Sequence, residues 1–143
     1  MARALGINHV ALEVGDVGEA LEWYGRFLQF ELRGKRPTMA WIDLGDQFLA
    51  LSAGRRQGPD DGRHFGLVVD DKEAVRAAVA GMGVDVAARG GLRFADPWGN
   101  QIEIVGYGDV QFTKTPAVLA KLAPEGLEKS EAAREELARK GLG

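Results

Sequence analysis

The sequence predicts an α+β fold built from two βαβββ modules, and three observations lead to this prediction. The stretch that begins at Asn8 and the stretch that begins at Arg63 are similar, because His, Leu, Val and Asp recur at matching places. Each stretch alternates like a strand, and a helical pattern and three strand-like segments follow it. The modules cover residues 5–53 and 63–107, and we expect them to share one curved mixed sheet, because neither is large enough to be stable alone.

The first module is predicted to continue from its opening strand into an amphipathic helix. Asp16 is placed to cap this helix, with Glu19 three residues further on. The apolar stripe runs from Val17 to Leu28. The three strands predicted after it are Phe30–Lys35, Met39–Leu44 and Phe48–Ser52.

The second module repeats this order after a polar, turn-rich linker over residues 54–62. A helix is predicted after Asp71, and Gly83 is placed to end it. The strands predicted to complete the module are Val84–Arg89, Leu92–Ala95 and Gln101–Val105.

Residues 108–143 form a C-terminal helical extension of different composition. The predicted helices are Ala117–Leu122 and Leu127–Leu142, and the second is rich in alternating acidic and basic residues. We expect a solvated helix packed on the edge of the domain or on a second subunit, in preference to a catalytic role.

Composition excludes several classes of function. The 143 residues carry a net charge of -3 and no basic stripe, so a nucleic-acid partner is not expected. No apolar run approaches the roughly 20 residues of a membrane span, and the first residues lack the apolar core of a signal peptide, so we expect a cytoplasmic location. There is no cysteine, so a bound metal would need His, Asp or Glu ligands.

Strand alternation directs three potential metal ligands to one face. If Val10, Leu12 and Val14 face the helices, His9 faces the other way. The same reasoning directs His64 and Glu103 away from the helices. Two imidazoles and one carboxylate form a ligand set suited to Zn, Fe(II), Mn, Ni or Co, with positions left open for substrate.

A structural role remains the alternative for each ligand. A single strand histidine is usually a hydrogen-bonded core or surface residue, and Glu103 could equally pair with Arg93. The matching positions of His9 and His64 in a repeat, with a carboxylate on the same predicted face, favour the metal site.

Four segments resemble the vicinal-oxygen-chelate superfamily, which is the glyoxalase, bleomycin-resistance and extradiol-dioxygenase family. They begin at Ile7, Leu21, Arg63 and Phe94, and the most specific is the last, Phe94-Ala-Asp-Pro-Trp-Gly-Asn-Gln-Ile-Glu103. The resemblance covers about residues 5–107. It implies paired βαβββ modules, one divalent metal ion at the centre of a curved sheet, a small-molecule substrate and a homodimer.

Departures from the family pattern reduce the number of family activities expected for this chain. Glyoxalase I-like members have a further glutamate late in the first module, where this chain has Ala50, which offers neither ligand nor base. Glu13 shares the face of His9 but lies too far along the strand to act as a base at the metal. Extradiol dioxygenases also share a further histidine outside the set of metal ligands. Both histidines of this chain are assigned to the metal, which counts against ring cleavage.

Three further residues are candidates around the cavity. Arg93 stands where thiol transferases of the fosfomycin type have a polar residue that contacts an anion, so it either contacts an anionic substrate or lies on an exposed edge. Trp41 and Asp43 are candidates to line the cavity, although the core is the ordinary place for a tryptophan. Trp98 is expected to pack on the extension or on a second subunit.

The leading functional prediction is a metal-dependent enzyme that acts on a small molecule with vicinal oxygens, as a lyase, a transferase or a dioxygenase-type oxidoreductase. The main alternative is a non-catalytic protein that sequesters a drug or toxin, as bleomycin-resistance proteins do. A third possibility is a scaffold whose extension recruits a partner.

Overall fold

The computed structural model describes residues 1–123 and 125–143 and divides into two compact units. The first unit contains Met1–Asp60 and Asp96–Asn100, and the second contains Asp61–Ala95 and Gln101–Gly143. Helices and mixed sheets occur together, which confirms the predicted α+β class. The described strands form two hydrogen-bonded sheets, one per module, where the sequence predicted one shared sheet.

The first unit follows the predicted βαβββ order. Its elements are β1 (His9–Val14), α1 (Val17–Tyr24), β2 (Leu32–Arg36), β3 (Met39–Asp43) and β4 (Phe48–Ala53). The strand order in the sheet is β1-β4-β3-β2, with β1 parallel to β4 and the other pairs antiparallel. The Asp16 side chain caps α1 by accepting from the Glu19 backbone N–H at 2.9 Å. The helix ends before Leu28, at Gly25, a residue with poor helix propensity.

The second unit departs from the prediction by one strand. Its elements are β5 (His64–Val69), α2 (Lys72–Ala80), β6 (Leu92–Ala95) and β7 (Gln101–Gly106), and the sheet order is β5-β7-β6. The strand predicted over Val84–Arg89 is wrong. That segment is mostly exposed, so it has little buried face to stabilise a strand, and Gly90 and Gly91 follow it with positive φ.

Alternation along the strands sets the two faces of each sheet. On β1 the side chains of Leu12 and Val14 are buried, whereas His9 and Glu13 are exposed. Strand β5 repeats the pattern, with Leu67 buried and His64 exposed. Helix α1 contacts β4, and helix α2 contacts β7. The predicted parity is therefore confirmed on both opening strands.

The C-terminal extension begins with a 3-10 turn over Tyr107–Asp109 and continues as α3 (Pro116–Leu122) and α4 (Glu131–Arg139). The second helix is shorter than predicted because Ser130 caps it, accepting from the Ala133 N–H at 3.3 Å. Lys129 fixes the preceding segment, since its ammonium donates to the carbonyls of Tyr107, Val110 and Phe112. Burial lowers the pKa of Lys129. No described helix is both long and apolar enough to cross a membrane.

Candidate functional site

The turn Asp96–Asn100 lies within the most specific sequence motif and belongs to the first unit, where Asp96 and Asn100 are buried. The Asp96 carboxylate is 4% exposed and accepts from the Tyr24 hydroxyl at 3.0 Å and from the Asn100 side-chain amide at 2.7 Å. Its other oxygen accepts from the backbone N–H groups of Trp98 and Asn100. Burial and the Asp96 carboxylate raise the pKa of Tyr24 well above its usual value.

Two further contacts tie this turn to the rest of the unit. The Asn100 amide donates to the Glu13 carbonyl at 3.0 Å, and its oxygen accepts from Arg55 at 2.5 Å. The indole of Trp98 lies so close to Gly15 that an added Cβ there would be 2.4 Å from Nε1. This contact within the first unit was not indicated by any sequence pattern. The motif therefore has a structural role in addition to leading into β7.

In the second unit, His64 and Glu103 come together on the face predicted for them. His64 Nε2 lies 3.6 Å from Glu103 Oε2, and the two side chains are 43% and 26% exposed. Glu103 is on the central strand β7, and its register partner on β5 is Gly66. Because Gly66 has no side chain, the position beside the carboxylate stays open.

Arg93 is the second partner of Glu103. It is the register partner of Glu103 on β6, and its Nη2 donates to the same Oε2 at 2.7 Å. Among the described residues, the buried Arg93 Nε has no hydrogen-bond partner. The ion pair matches the structural alternative stated for Glu103 and leaves one guanidinium donor unsatisfied.

The first sheet carries His9 at the equivalent position. His9 stacks on Phe48, with ring centroids 4.6 Å apart and planes inclined by 6°. Ala11 pairs with Ala50, as Gly66 pairs with Glu103 in the other sheet. Ala50 therefore occupies the register position of Glu103, and the first module supplies no carboxylate there.

Trp41 is the register partner of Ala50, so it occupies the position that Arg93 holds in the other sheet. It lines an open cleft of about 430 Å³ on the first unit. The remaining lining residues are Arg33, Gly34, Lys35, Arg36 and Phe48. These cations were not predicted as part of a site, although three basic residues within four positions of β2 are a visible signal in the sequence.

The structure thus brings two of the three proposed ligands together within one unit. His64 and Glu103 belong to the second unit, whereas His9 belongs to the first. Among residues 1–123 and 125–143, no group of three or more His, Asp or Glu side chains is positioned to hold a metal ion. Within its own unit, each histidine has an oxygen near Nδ1: Asn8 Oδ1 at 2.8 Å from His9, and the Gly62 carbonyl at 3.3 Å from His64.

The fold and its open faces define a small α+β protein with a duplicated strand–helix–strand unit and histidines at equivalent strand positions. The chain belongs to the Glyoxalase/Bleomycin resistance protein/Dioxygenase superfamily, whose family model matches residues 6–104. A comparison with curated proteins finds no match.

Several solved structures are similar to this chain. A lactoylglutathione lyase from Agrobacterium tumefaciens is 20% identical, with a TM-score of 0.58 over 73% of this chain and 96% of that one. A glyoxalase family protein from Bacillus anthracis is 25% identical, with a TM-score of 0.58 over 74% and 98% of the two chains. A fosfomycin resistance protein from Listeria monocytogenes is 12% identical, with a TM-score of 0.62 over 73% and 92%. Because the first and third are less than 25% identical to this chain, they show only that the fold is shared.

Proposed function

We propose that the chain is a metal-dependent enzyme that binds a small molecule through two adjacent oxygens, with His9, His64 and Glu103 holding one divalent metal ion. The observation that carries this proposal is the 3.6 Å approach of His64 Nε2 to Glu103 Oε2 on the face not covered by the helix. Metal–nitrogen and metal–oxygen bonds are about 2.0–2.2 Å long. Two ligand atoms bound to one ion are therefore separated from each other by a distance close to this 3.6 Å.

The surroundings of the two imidazoles suit this ligand set. Histidines that bind metal usually hydrogen-bond through their other ring nitrogen to an oxygen, which orients the ring. His9 has Asn8 Oδ1 and His64 has the Gly62 carbonyl beside Nδ1, which leaves Nε2 of each ring for an ion. A bound divalent ion would supply stabilisation of negative charge that develops on a substrate oxygen.

Ala50 and Arg93 limit which type of reaction is proposed. Ala50 occupies the register position equivalent to Glu103, so this chain has no second carboxylate there to act as a base. Activity of the lactoylglutathione type is therefore not proposed. We propose a lyase, a transferase or a dioxygenase-type oxidoreductase, with the Arg93 side chain, which is 40% exposed, as a contact for an anionic group of the substrate.

Metal analysis of protein purified without chelator tests the ligand assignment. We expect about one equivalent of a divalent metal per chain, and at least about tenfold weaker binding in His64→Ala and in Glu103→Gln. Glu22→Gln is the matched control, since Glu22 is exposed on α1. Retention of metal by both site variants at the wild-type level would refute the assignment.

Arg93→Met separates metal binding from a purely structural ion pair. Arg93 competes for Glu103 Oε2 at 2.7 Å, so its removal should tighten metal binding if that oxygen is a ligand. A loss of stability without any change in metal affinity would mean that the carboxylate serves only the ion pair.

Sequestration of a drug or toxin without chemistry is the second candidate function. It is favoured by the Arg93–Glu103 ion pair together with the lack of a ready three-residue metal cluster among the described residues. A screen of 1,2-dicarbonyls, catechols and epoxides with metal-loaded protein separates the two functions. Turnover that is lost in His64→Ala supports the enzyme, whereas tight binding that persists without metal supports sequestration.

We also make proposals about the domain organisation and the oligomeric state. We propose that residues 5–53 and 63–107 act as one vicinal-oxygen-chelate domain, with residues 108–143 as a helical extension. We also propose a homodimer, which analytical ultracentrifugation would test. A mass equal to one chain at all concentrations would contradict the dimer.

A further inference from the structure

A basic cleft with aromatic walls lies on the first unit and is not used by the metal proposal. The basic cleft is lined by Arg33, Gly34, Lys35, Arg36, Trp41 and Phe48 and has a volume of about 430 Å³. That volume lies in the range of small-molecule sites, about 300–1,000 Å³. We propose that the basic cleft binds the substrate, and that the substrate is a small anion with a flat conjugated group.

The charge of the basic cleft favours a bound anion. Three cations stand within four residues of the edge strand β2, in a chain whose net charge is -3. Among the described residues, no carboxylate forms an ion pair with Arg33, Lys35 or Arg36. Like charges so close together repel one another, and a bound anion would relieve that repulsion.

The guanidinium groups of the basic cleft are held on aromatic rings. Arg33 lies over the Phe48 ring at 4.8 Å, and Arg36 lies over the Trp41 ring at 5.7 Å. A guanidinium stacked on a ring keeps its N–H donors at its edge, where they can reach an anion. The register of β2 against β3 shifts between Leu32 and Gly34, so Arg33 sits at an irregularity of the kind that re-aims side chains. The rings thus hold both arginines in place before a ligand binds.

The space beside Trp41 indicates the shape of the ligand. Gly34 is the register partner of Trp41, and an added Cβ would lie 3.5 Å from indole Cε3. Glycine in a strand often marks a place where a ligand approaches closely. Without a side chain at this position, part of the indole stays uncovered and can take a flat group.

The position of the basic cleft connects it to the proposed reaction. Phe48, one wall of the basic cleft, stacks on His9, a proposed metal ligand, at 4.6 Å. Phe48 is thus shared between the wall of the basic cleft and the ring stack on that histidine. The link to catalysis rests on the proposed function, but the binding itself does not need a metal.

Calorimetric titration of chelator-treated protein with phenyl phosphate tests whether the basic cleft binds a flat anion. Inorganic phosphate carries the charge without the ring, and phenol carries the ring without the charge. We expect phenyl phosphate to bind at least about tenfold tighter than either, and binding to weaken steeply as salt increases. Equal affinity for phenyl phosphate and inorganic phosphate would overturn the assignment of a flat ligand.

Variants locate the binding. Arg33→Met and Arg36→Met should each weaken phenyl phosphate binding by about tenfold, and Arg26→Met, an exposed cation on the same unit, is the matched control. Gly34→Val should weaken phenyl phosphate binding while affinity for inorganic phosphate stays within about twofold, because it keeps all three cations. Unchanged affinity in all three cleft variants would refute the site. Since the protein is free of metal, this failure is distinct from failure of the metal site.

Discussion

Replacing Asp96 should cost more stability than almost any other single substitution in the first unit. Its carboxylate accepts four hydrogen bonds, two from backbone N–H groups and two from the side chains of Tyr24 and Asn100, and is 4% exposed. Asp96→Ala leaves all four donors without their acceptor.

The magnitude follows from the cost of unsatisfied donors. A buried polar group left without its partner costs about 1–3 kcal/mol. Four independent losses would total about 4–12 kcal/mol, but the donors share one carboxylate and are coupled, so we expect about 3–5 kcal/mol, as for a broken buried charge network. Asp96→Asn keeps the shape and one acceptor oxygen, so it should cost about 2 kcal/mol.

Urea unfolding followed by circular dichroism measures these changes. Whole domains are stable by about 5–15 kcal/mol, so the Asp96→Ala midpoint should fall strongly with an unchanged slope. Asp85→Ala is the control, because Asp85 is exposed, and it should stay within about 0.5 kcal/mol of wild type. A cost below about 1 kcal/mol for Asp96→Ala would show that this network does not hold the unit together.

Three more predictions follow from single contacts. Lys129→Met removes three hydrogen bonds to carbonyls and should cost about 2–3 kcal/mol, with faster amide exchange in the extension; wild-type exchange would contradict the role of this lysine. Gly99→Ala should destabilise by at least about 2 kcal/mol more than Gly54→Ala, since both glycines have φ near 90° but only the first would bring a Cβ to 2.4 Å from Pro59; equal losses in thermal unfolding would refute this. Because the pKa of Tyr24 is raised on folding, stability should be fully present below about pH 10 and fall above it, and Tyr24→Phe should flatten that decline in urea unfolding; an unchanged alkaline slope would contradict it.

Much of the fold could be predicted because its signals are local. The cap at Asp16, the helix after Asp71 and the alternation on β1 and β5 depend on residues close in sequence, and the structure confirms them. The strand over Val84–Arg89 was wrong because its apolar and polar pattern resembles a strand, whereas its solvent exposure depends on tertiary packing.

The candidate site was predictable in part. Strand parity predicted His64 and Glu103 on one face, and the register places Ala50 at the position equivalent to Glu103. The ion pair between Arg93 and Glu103 was only one alternative, since pairing between neighbouring strands depends on register, which the sequence does not determine. The buried role of the turn Asp96–Asn100 depends on contacts far apart in sequence.

A crystal structure of the protein loaded with Co(II), with anomalous diffraction measured at the cobalt edge, tests the metal proposal most directly. We expect one strong anomalous peak per chain, bound by His9, His64 and Glu103, with Arg93 displaced from the bound carboxylate oxygen. A peak held by other side chains, or the intact Arg93–Glu103 ion pair in cobalt-saturated protein, would contradict it.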